Sequence, residues 1–224
     1  MRELTIAVDG PGSAGKGTVA RGVANALGYR YIDTGAMYRA VAWAAHQRGL
    51  STHDGPALGA LTATLSLDFQ WDGTALRVWC DDMDVSSEIR SDAMGTAASA
   101  VSVHPEVRQA LLAQQRAFGA AGGVVMDGRD IGTVVFPNAD LKVFLDASLD
   151  ERARRRHEEL VARGEDASWS EVREALDRRD AQDRQRATAP LRPAVDAVMV
   201  DTTGLSIDQA IAVVLQLVEA RRTP

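Results

Sequence analysis

Leu4-Thr-Ile-Ala-Val-Asp-Gly10-Pro-Gly-Ser-Ala-Gly-Lys16-Gly-Thr18-Val-Ala-Arg-Gly-Val-Ala-Asn-Ala-Leu27 reads as an apolar strand, a glycine-rich turn and a helix in direct succession. Glycines stand at the first and sixth positions of the turn, Gly10 and Gly15, and a lysine at the seventh, Lys16. Glycines allow successive backbone N–H groups to face inward without Cβ clashes. The helix that follows adds the positive end of its dipole, and a lysine in this place reaches terminal phosphates. The run Gly10, Pro11, Gly12, Ser13, Ala14, Gly15, Lys16, Gly17 and Thr18 is therefore expected to cradle phosphates. A plain glycine-rich turn would not require the glycine spacing, the lysine and the strand-before, helix-after context to coincide. One position departs from the general pattern: Gly17 stands where Ser or Thr usually holds magnesium, and the hydroxyl arrives one residue later, at Thr18.

Composition supports the reading. Of 25 basic residues only Lys16 and Lys142 are lysines, so one of two ammonium groups sits where a point charge suits a phosphate. The 224 residues, 46% of them apolar, suffice for one substantial core. A net charge of −6 means that anionic ligands need locally concentrated positive charge, and nucleic acid is not an expected partner. A single cysteine, Cys80, allows no internal disulfide, no apolar run approaches the roughly 20 residues that span a bilayer, and no signal-peptide core precedes the first strand. A soluble, cytoplasmic protein without membrane contact is expected, and a monomer, since no long unmatched apolar face remains.

Strand-length apolar runs recur at Leu4–Val8, Val124–Met126, Leu141–Leu145 and Ala197–Val200. They are predominantly apolar and do not alternate, as in parallel strands covered on both faces, and a short strand at Tyr29–Ile32 gives five. Helical patterns fall at about 35–49, 105–119, 150–163, 170–186 and 206–222, the last with a stripe of Ile207, Ile211, Val214, Leu215 and Val218. This predicts an α/β fold with a five-stranded parallel sheet and helices on both faces.

Two regions break the pattern. Leu65–Trp71 and Leu76–Cys80 alternate around Asp72-Gly73, a hairpin signature with a type I′ turn, so 62–103 is expected to form a small inserted antiparallel lobe. Phe69, Trp71 and Trp79 are expected to form its minor core; a base-stacking platform is the alternative. Residues 151–192 hold 11 arginines and 10 acidic residues, with four arginines between Arg178 and Arg186. Most of these charges read as solvated i,i+4 pairs, but a weakly cored arginine-rich helical hairpin also suits a lid that closes over phosphate. The core is then 1–61, 104–150 and 193–224 of a single domain.

Three clusters carry possible chemistry. Val124-Val-Met-Asp127 ends a strand in a carboxylate, which reads either as a magnesium-site acid or as a turn residue. Gly128-Arg129-Asp130 follows at the sheet edge where ligands of open α/β sheets bind. Asp33-Thr34 through Arg39 offers a hydroxyl and a guanidinium, although Thr34 as a helix cap explains part of it. None of the four histidines has metal-ligand spacing. Arginines without an obvious base suit an acceptor that is already an anion, since a phosphate monoester with its second pKa near about 6 needs no deprotonation. An alcohol acceptor would want a carboxylate, and Asp33 and Asp130 are available.

The ending Gly15-Lys-Gly-Thr18 resembles the loop of nucleoside monophosphate kinases. With Asp33-Thr-Gly-Ala-Met-Tyr-Arg39, Asp127-Gly-Arg-Asp-Ile-Gly-Thr-Val-Val-Phe-Pro137, Phe144-Leu-Asp-Ala147 and Arg184-Gln-Arg-Ala-Thr-Ala-Pro-Leu191, the chain is similar to the bacterial cytidylate kinase family over nearly its whole length. The resemblance implies a P-loop NTPase-type fold and transfer of the ATP γ-phosphoryl group to CMP or dCMP with Mg2+. It places ATP on Gly10–Thr18, with Lys16, Arg129 and Arg186 as the catalytic cations and Asp127 beside the metal through water. It implies that Arg108 and Asp130, helped by Ser99, read the cytosine edge. Arg39, Arg129 and Arg186 would take the acceptor phosphate, with Arg179 and Asp183 near the sugar. Thr34 keeps the hydroxyl that related sequences often supply from serine. A kinase of UMP, dTMP or a small alcohol is the alternative within the class, and a nucleotide-dependent switch the alternative outside it.

Overall fold

The computed structural model describes residues 3–71 and 75–222, Trp71 by its backbone alone. Along the chain run β1 (Thr5–Asp9), α1 (Lys16–Leu27), β2 (Arg30–Asp33), α2 (Thr34–Gln47) and α3 (Gly55–Thr64). Next come β3 (Leu67–Trp71), β4 (Leu76–Cys80), β5 (Met83–Asp84), α4 (Asp92–Val101) and α5 (Pro105–Gly119). Then follow β6 (Val124–Gly128), a one-turn π-helix (Ile131–Val135), β7 (Leu141–Asp146), α6 (Leu149–Ala162), α7 (Trp169–Gln185), β8 (Val198–Asp201) and α8 (Ile207–Arg222).

Five strands form one sheet in the order β2-β6-β1-β7-β8, with β1 parallel to both β6 and β7, and β7 parallel to β8. The four apolar runs and the short strand expected from the sequence are these five strands, each within one or two residues. The order places the phosphate-loop strand at the centre. Register sets Val8 beside Asp127 and Asp9 beside both Gly128 and Phe144, so three strands end at one edge. This is the switch-point geometry at which α/β sheets bind ligands.

The chain divides into two compact units, Met1–Tyr31 with Ala121–Pro224, and Ile32–Ala120. In the first, α1 and α8 bring Val19, Val23, Val214 and Val218 onto Ile6, Val8, Val125, Val143 and Leu145, all buried. Each fully buried branched side chain contributes about 1.5–3 kcal/mol. A Cβ on Gly22 would fall 2.3 Å from Ile211, so the two helices approach closely at that point. Ile207, expected in the buried stripe, is instead 59% exposed at the first turn of α8. The helical hairpin α6–α7 has only a small core, Ala153, Leu160, Val172 and Leu176, and its outer faces carry ion pairs such as Arg154–Glu158, Arg163–Glu159 and Arg178–Glu174.

The second unit contains the expected antiparallel sheet, in the order β3-β4-β5. Trp71 pairs with Leu76 across the hairpin, while the Asp72-Gly73 turn itself lies outside the described residues. Phe69 is buried and meets Phe118 edge to face at 5.6 Å, a core contact. The expected lobe 62–103 lies inside this larger unit, which adds α2, α3 and α5. Helices α3 and α4 lie outside the helical patterns expected above. Apolar periodicity is weak in α3, α4 falls within the stretch expected to be an antiparallel lobe, and both begin at side-chain caps: Asp54 accepts from the Ala57 N–H and Ser91 from that of Met94.

Leu145 is fully buried where β7 flanks β1. Leu145→Ala is expected to cost about 2–5 kcal/mol, read from the urea unfolding midpoint at unchanged slope. A loss under about 1 kcal/mol would mean that β7 is not a central strand.

Candidate active site

The loop after β1 turns on backbone conformations that only some residues tolerate. Gly15 has φ +85°, Ser13 adopts φ +59°, and Gly10 runs so close to β7 that a Cβ there would lie 1.9 Å from the Leu145 carbonyl oxygen. Lys16 opens α1, and its Nζ donates to the Pro11 carbonyl at 2.6 Å, folding the side chain back across the loop. The ammonium is 6% exposed. Burial, reinforced by Arg129 and Arg179 and opposed by Asp127 and Asp183, lowers its pKa to about 7. A cation held this way gains charge when a polyanion arrives.

The displaced hydroxyl has a structural counterpart. A Cβ on Gly17 would fall 3.2 Å from the Tyr31 hydroxyl, which donates to Asp127 Oδ1 at 2.7 Å. A side chain at 17 would therefore crowd the tyrosine that orients the strand-end carboxylate. Thr18, one residue on, is half-buried and lines a cavity of about 800 Å³ between the loop, α6 and the start of α8.

Thr202 and Arg155, which the sequence reading missed, tie that cavity together. Arg155 donates to the Thr202 hydroxyl at 3.1 Å and to its carbonyl at 2.6 Å, and the Thr202 hydroxyl donates to the Ala14 carbonyl at 3.2 Å. Leu205 and the exposed Ile207 supply apolar surface on the same wall. Arg155 was lost among the arginines of α6, while Thr202, directly after β8, occupies the type of strand-end position that singled out Asp127. Arg152, also missed, is buried. It donates to the Gly12 carbonyl at 3.1 Å and pairs with Asp180 at 2.6 Å, so one guanidinium joins the phosphate loop, α6 and α7.

The end of β6 and the end of α7 form an alternating chain of charge. Arg129 donates to Asp183 at 2.8 Å, Arg186 lies 3.6 Å from Asp183, and Arg186 reaches Asp130 at 3.4 Å. Burial works against ionisation of Asp183, but Arg129, Arg179 and Arg186 outweigh it and hold the carboxyl below its usual range. Of the sequence-predicted residues, this unit thus brings together Lys16, Asp127, Arg129, Asp130, Arg179, Asp183 and Arg186.

Ile32–Ala120 carries the other four. Asp33, not Thr34, caps α2, accepting from the Ala36 N–H at 2.9 Å; Thr34 is the first helical residue and is buried. The aspartate carboxyl acts as the cap because the extended backbone at 33 points it at the free amides of the first turn. Arg39 pairs with Asp33 at 2.8 Å, and despite burial this holds the Asp33 carboxyl low. Arg108, also buried, stacks over Tyr38 at 5.5 Å and donates to the Ser102 carbonyl at 3.3 Å, while the Ser102 hydroxyl donates to the Ser99 carbonyl at 2.9 Å. Ser99 and Arg108 are therefore linked through one residue. No cluster of three or more His, Cys, Asp or Glu is placed to hold a metal, and no helix is long and apolar enough to cross a membrane, among the described residues.

A family model described as cytidylate kinase matches residues 6–220. The chain is 48% identical over 220 residues to a cytidylate kinase of Geobacillus thermodenitrificans, covering 98% of both chains. To one of Methylococcus capsulatus it is 49% identical over 215 residues, covering 96% of each. The fold is shared with the crystal structure of an uncharacterized protein from Eubacterium ventriosum at TM-score 0.56 and 11% identity, over 98% of this chain and 99% of that one.

A triphosphate beside Lys16 raises its pKa from about 7, so the free protein's neutral fraction takes up a proton on binding. ATP titrated calorimetrically in buffers of different ionisation enthalpy should show proton uptake at about pH 8 that fades below about pH 6, where the ammonium is already formed. Lys16→Met should remove that uptake. Equal uptake in the variant would assign it elsewhere.

Proposed function

The chain belongs to the cytidylate kinase family and is an ATP-dependent nucleoside monophosphate kinase acting on CMP; from that premise we propose how its residues divide the work. The reaction joins a CMP phosphate oxygen to the γ-phosphorus of ATP and breaks the bond from that phosphorus to the β,γ-bridging oxygen, giving CDP and ADP. Little proton chemistry is required, because the acceptor phosphate, with a second pKa near about 6, is already an anion at neutral pH. Catalysis then rests on alignment and on cations placed where charge spreads over the transferring group.

The donor half is the loop Gly10–Thr18. Its inward N–H groups take the phosphates, Lys16 spans the β- and γ-phosphates, and the cavity walled by Thr202, Leu205 and Ile207 takes the base and ribose. Mg2+ fits this donor set in one way. Asp127 is a buried strand-end carboxylate near the lysine, and Mg2+ keeps most of its waters while using one or two carboxylates and substrate phosphates. Asp127, oriented by Tyr31, would hold it through water, with Thr18 facing phosphate. When bound, the ion neutralises charge on the β- and γ-oxygens.

The acceptor half follows the family resemblance residue by residue. Arg39, Arg129 and Arg186 take the CMP phosphate, with Thr34 offering its hydroxyl and Arg179 and Asp183 near the sugar, where dCMP is also accommodated. Asp130 accepts from the cytosine N4 amino group while Arg108 donates to N3 and O2, helped by Ser99. Uracil, with O4 and N3–H in those places, leaves both mismatched. Asp130 pairs with Arg186 and Asp183 with Arg129, so the charges assigned to this half are compensated within the protein. The helical hairpin 151–192 acts as the lid that excludes water, its small core supporting independent movement. The same reading takes the chain as a cytoplasmic monomer.

The carrying observation is the charge chain Arg129–Asp183–Arg186–Asp130 beside the buried Lys16. A switch protein needs no second set of anion-binding arginines. Coupled ADP release with CMP, dCMP, UMP and dTMP tests it. CMP and dCMP should be turned over with stoichiometric diphosphate, and Asp130→Asn should reduce kcat/KM for CMP by about 100-fold with KM for ATP within about twofold. Unchanged CMP kinetics would remove Asp130 from the site. Lys16→Met should abolish transfer, and near-normal turnover would overturn the donor assignment.

A further inference from the structure

We propose that Asp9, which the assignments above leave without a part, is a positioning residue for base selection: its carboxylate fixes the backbone that aims Asp130. The proposal rests on the reading of Asp130 as the group that faces the cytosine amino group.

Asp9 ends β1, directly before Gly10, and is 4% exposed. Its Oδ1 accepts from the Ile131 N–H and its Oδ2 from the Gly132 N–H, both at 2.7 Å. These are short hydrogen bonds to two consecutive amides, and both strengthen when the carboxyl is ionised. Together they set the peptide planes on either side of Ile131, and the first of these planes is the one that Asp130 itself begins. Asp130 stands at φ −145°, ψ 26° and opens the π-helix, its carbonyl accepting from the Val134 and Val135 N–H groups. Single π-turns are costly conformations retained mostly at functional sites, and this one is clamped at both ends. At its far end the protein's other lysine, Lys142, donates to the Pro137 carbonyl at 2.5 Å and to Asp196 at 2.8 Å, and its side chain lies against Gly132.

Asp9 itself cannot drift. It lies between β6 and β7 in register, and the next residue is the Gly10 backbone pressed on the Leu145 carbonyl. Burial pushes its carboxyl up to about 7, against the two amides and Lys16, which favour the charged form. A buried carboxylate is expensive, and a core strand needs none at this position. Its two acceptor oxygens give the loop after β6 a fixed distance from the loop after β1. A displacement of Asp130 by about 1 Å is enough to reduce discrimination substantially.

The test compares Asp9→Asn, which keeps one acceptor oxygen and turns an amide donor toward the second N–H, with Asp130→Asn. Steady-state kinetics with CMP and UMP at varied ATP should show Asp9→Asn raising KM for CMP about tenfold. The CMP-to-UMP ratio of kcat/KM should fall by about tenfold, with KM for ATP within about twofold. A merely structural role would reduce the active fraction and lower kcat for both nucleotides with the ratio unchanged, and that result overturns the proposal. So does a parallel rise in KM for ATP, which would assign Asp9 to the phosphate loop. If Asp130→Asn leaves selectivity intact, the cytosine reading fails; if it changes selectivity and Asp9→Asn does not, Asp9 alone is excluded. Should Asp9→Asn not fold, hydrogen exchange on the unmodified protein decides. Ile131 and Gly132 amides protected like β-strand amides, and further by CMP but not by ATP, support the proposal; exchange at loop rates overturns it.

Discussion

One buried ammonium group, Lys16 Nζ, imposes the constraint on which the remaining site depends. It is folded onto the Pro11 carbonyl at the edge where β1 ends between β6 and β7, and burial lowers its pKa. A lysine in that environment is uncomfortable alone and is relieved by a polyanion. The neighbouring groups are arranged around this charge. Asp127 is held by Tyr31, and Arg129 and Arg186, directly after β6 and α7, are compensated by Asp183 and Asp130.

The backbone makes that arrangement reproducible. Gly10 presses on Leu145, Gly17 leaves room for Tyr31, and Asp9 and Lys142 clamp the two ends of the π-turn. At each of these positions a close approach or a hydrogen bond fixes a loop that would otherwise be free at a strand end. The hairpin α6–α7 is built differently. Its outer charges contribute little, since exposed pairs are worth about 0–1 kcal/mol, whereas the buried Arg152–Asp180 pair with its bond to Gly12 anchors it to the phosphate loop.

The second unit shows how far local signals reach. The alternation of Leu65–Trp71 and Leu76–Cys80 announced a hairpin, and β3 and β4 form it. The helices α3 and α4 beside it stayed hidden: α3 carries almost no apolar periodicity, and α4 falls within 62–103, a stretch that the hairpin signature marks as antiparallel. They are stabilised by caps and by close packing such as Gly59 against Glu106. Asp33 rather than Thr34 caps α2 for a related reason: both residues are competent, and the choice falls to the backbone conformation at 33.

The sequence by itself determined the phosphate loop, the five strands, the flanking helices and the family, because these are written in contiguous residues: glycine spacing, unbroken apolar runs and intact motifs. Only the tertiary structure decided what joins elements distant in the chain. Asp9 meets Ile131 and Gly132, Arg155 meets Thr202, Arg152 meets Asp180 and Gly12, and Tyr31 meets Asp127. Each joins residues of different elements or loops that lie far apart in sequence. Its partner is set by sheet order and register, which no local pattern encodes. A lone buried aspartate or one arginine among eleven acquires a role only when packing selects its neighbour.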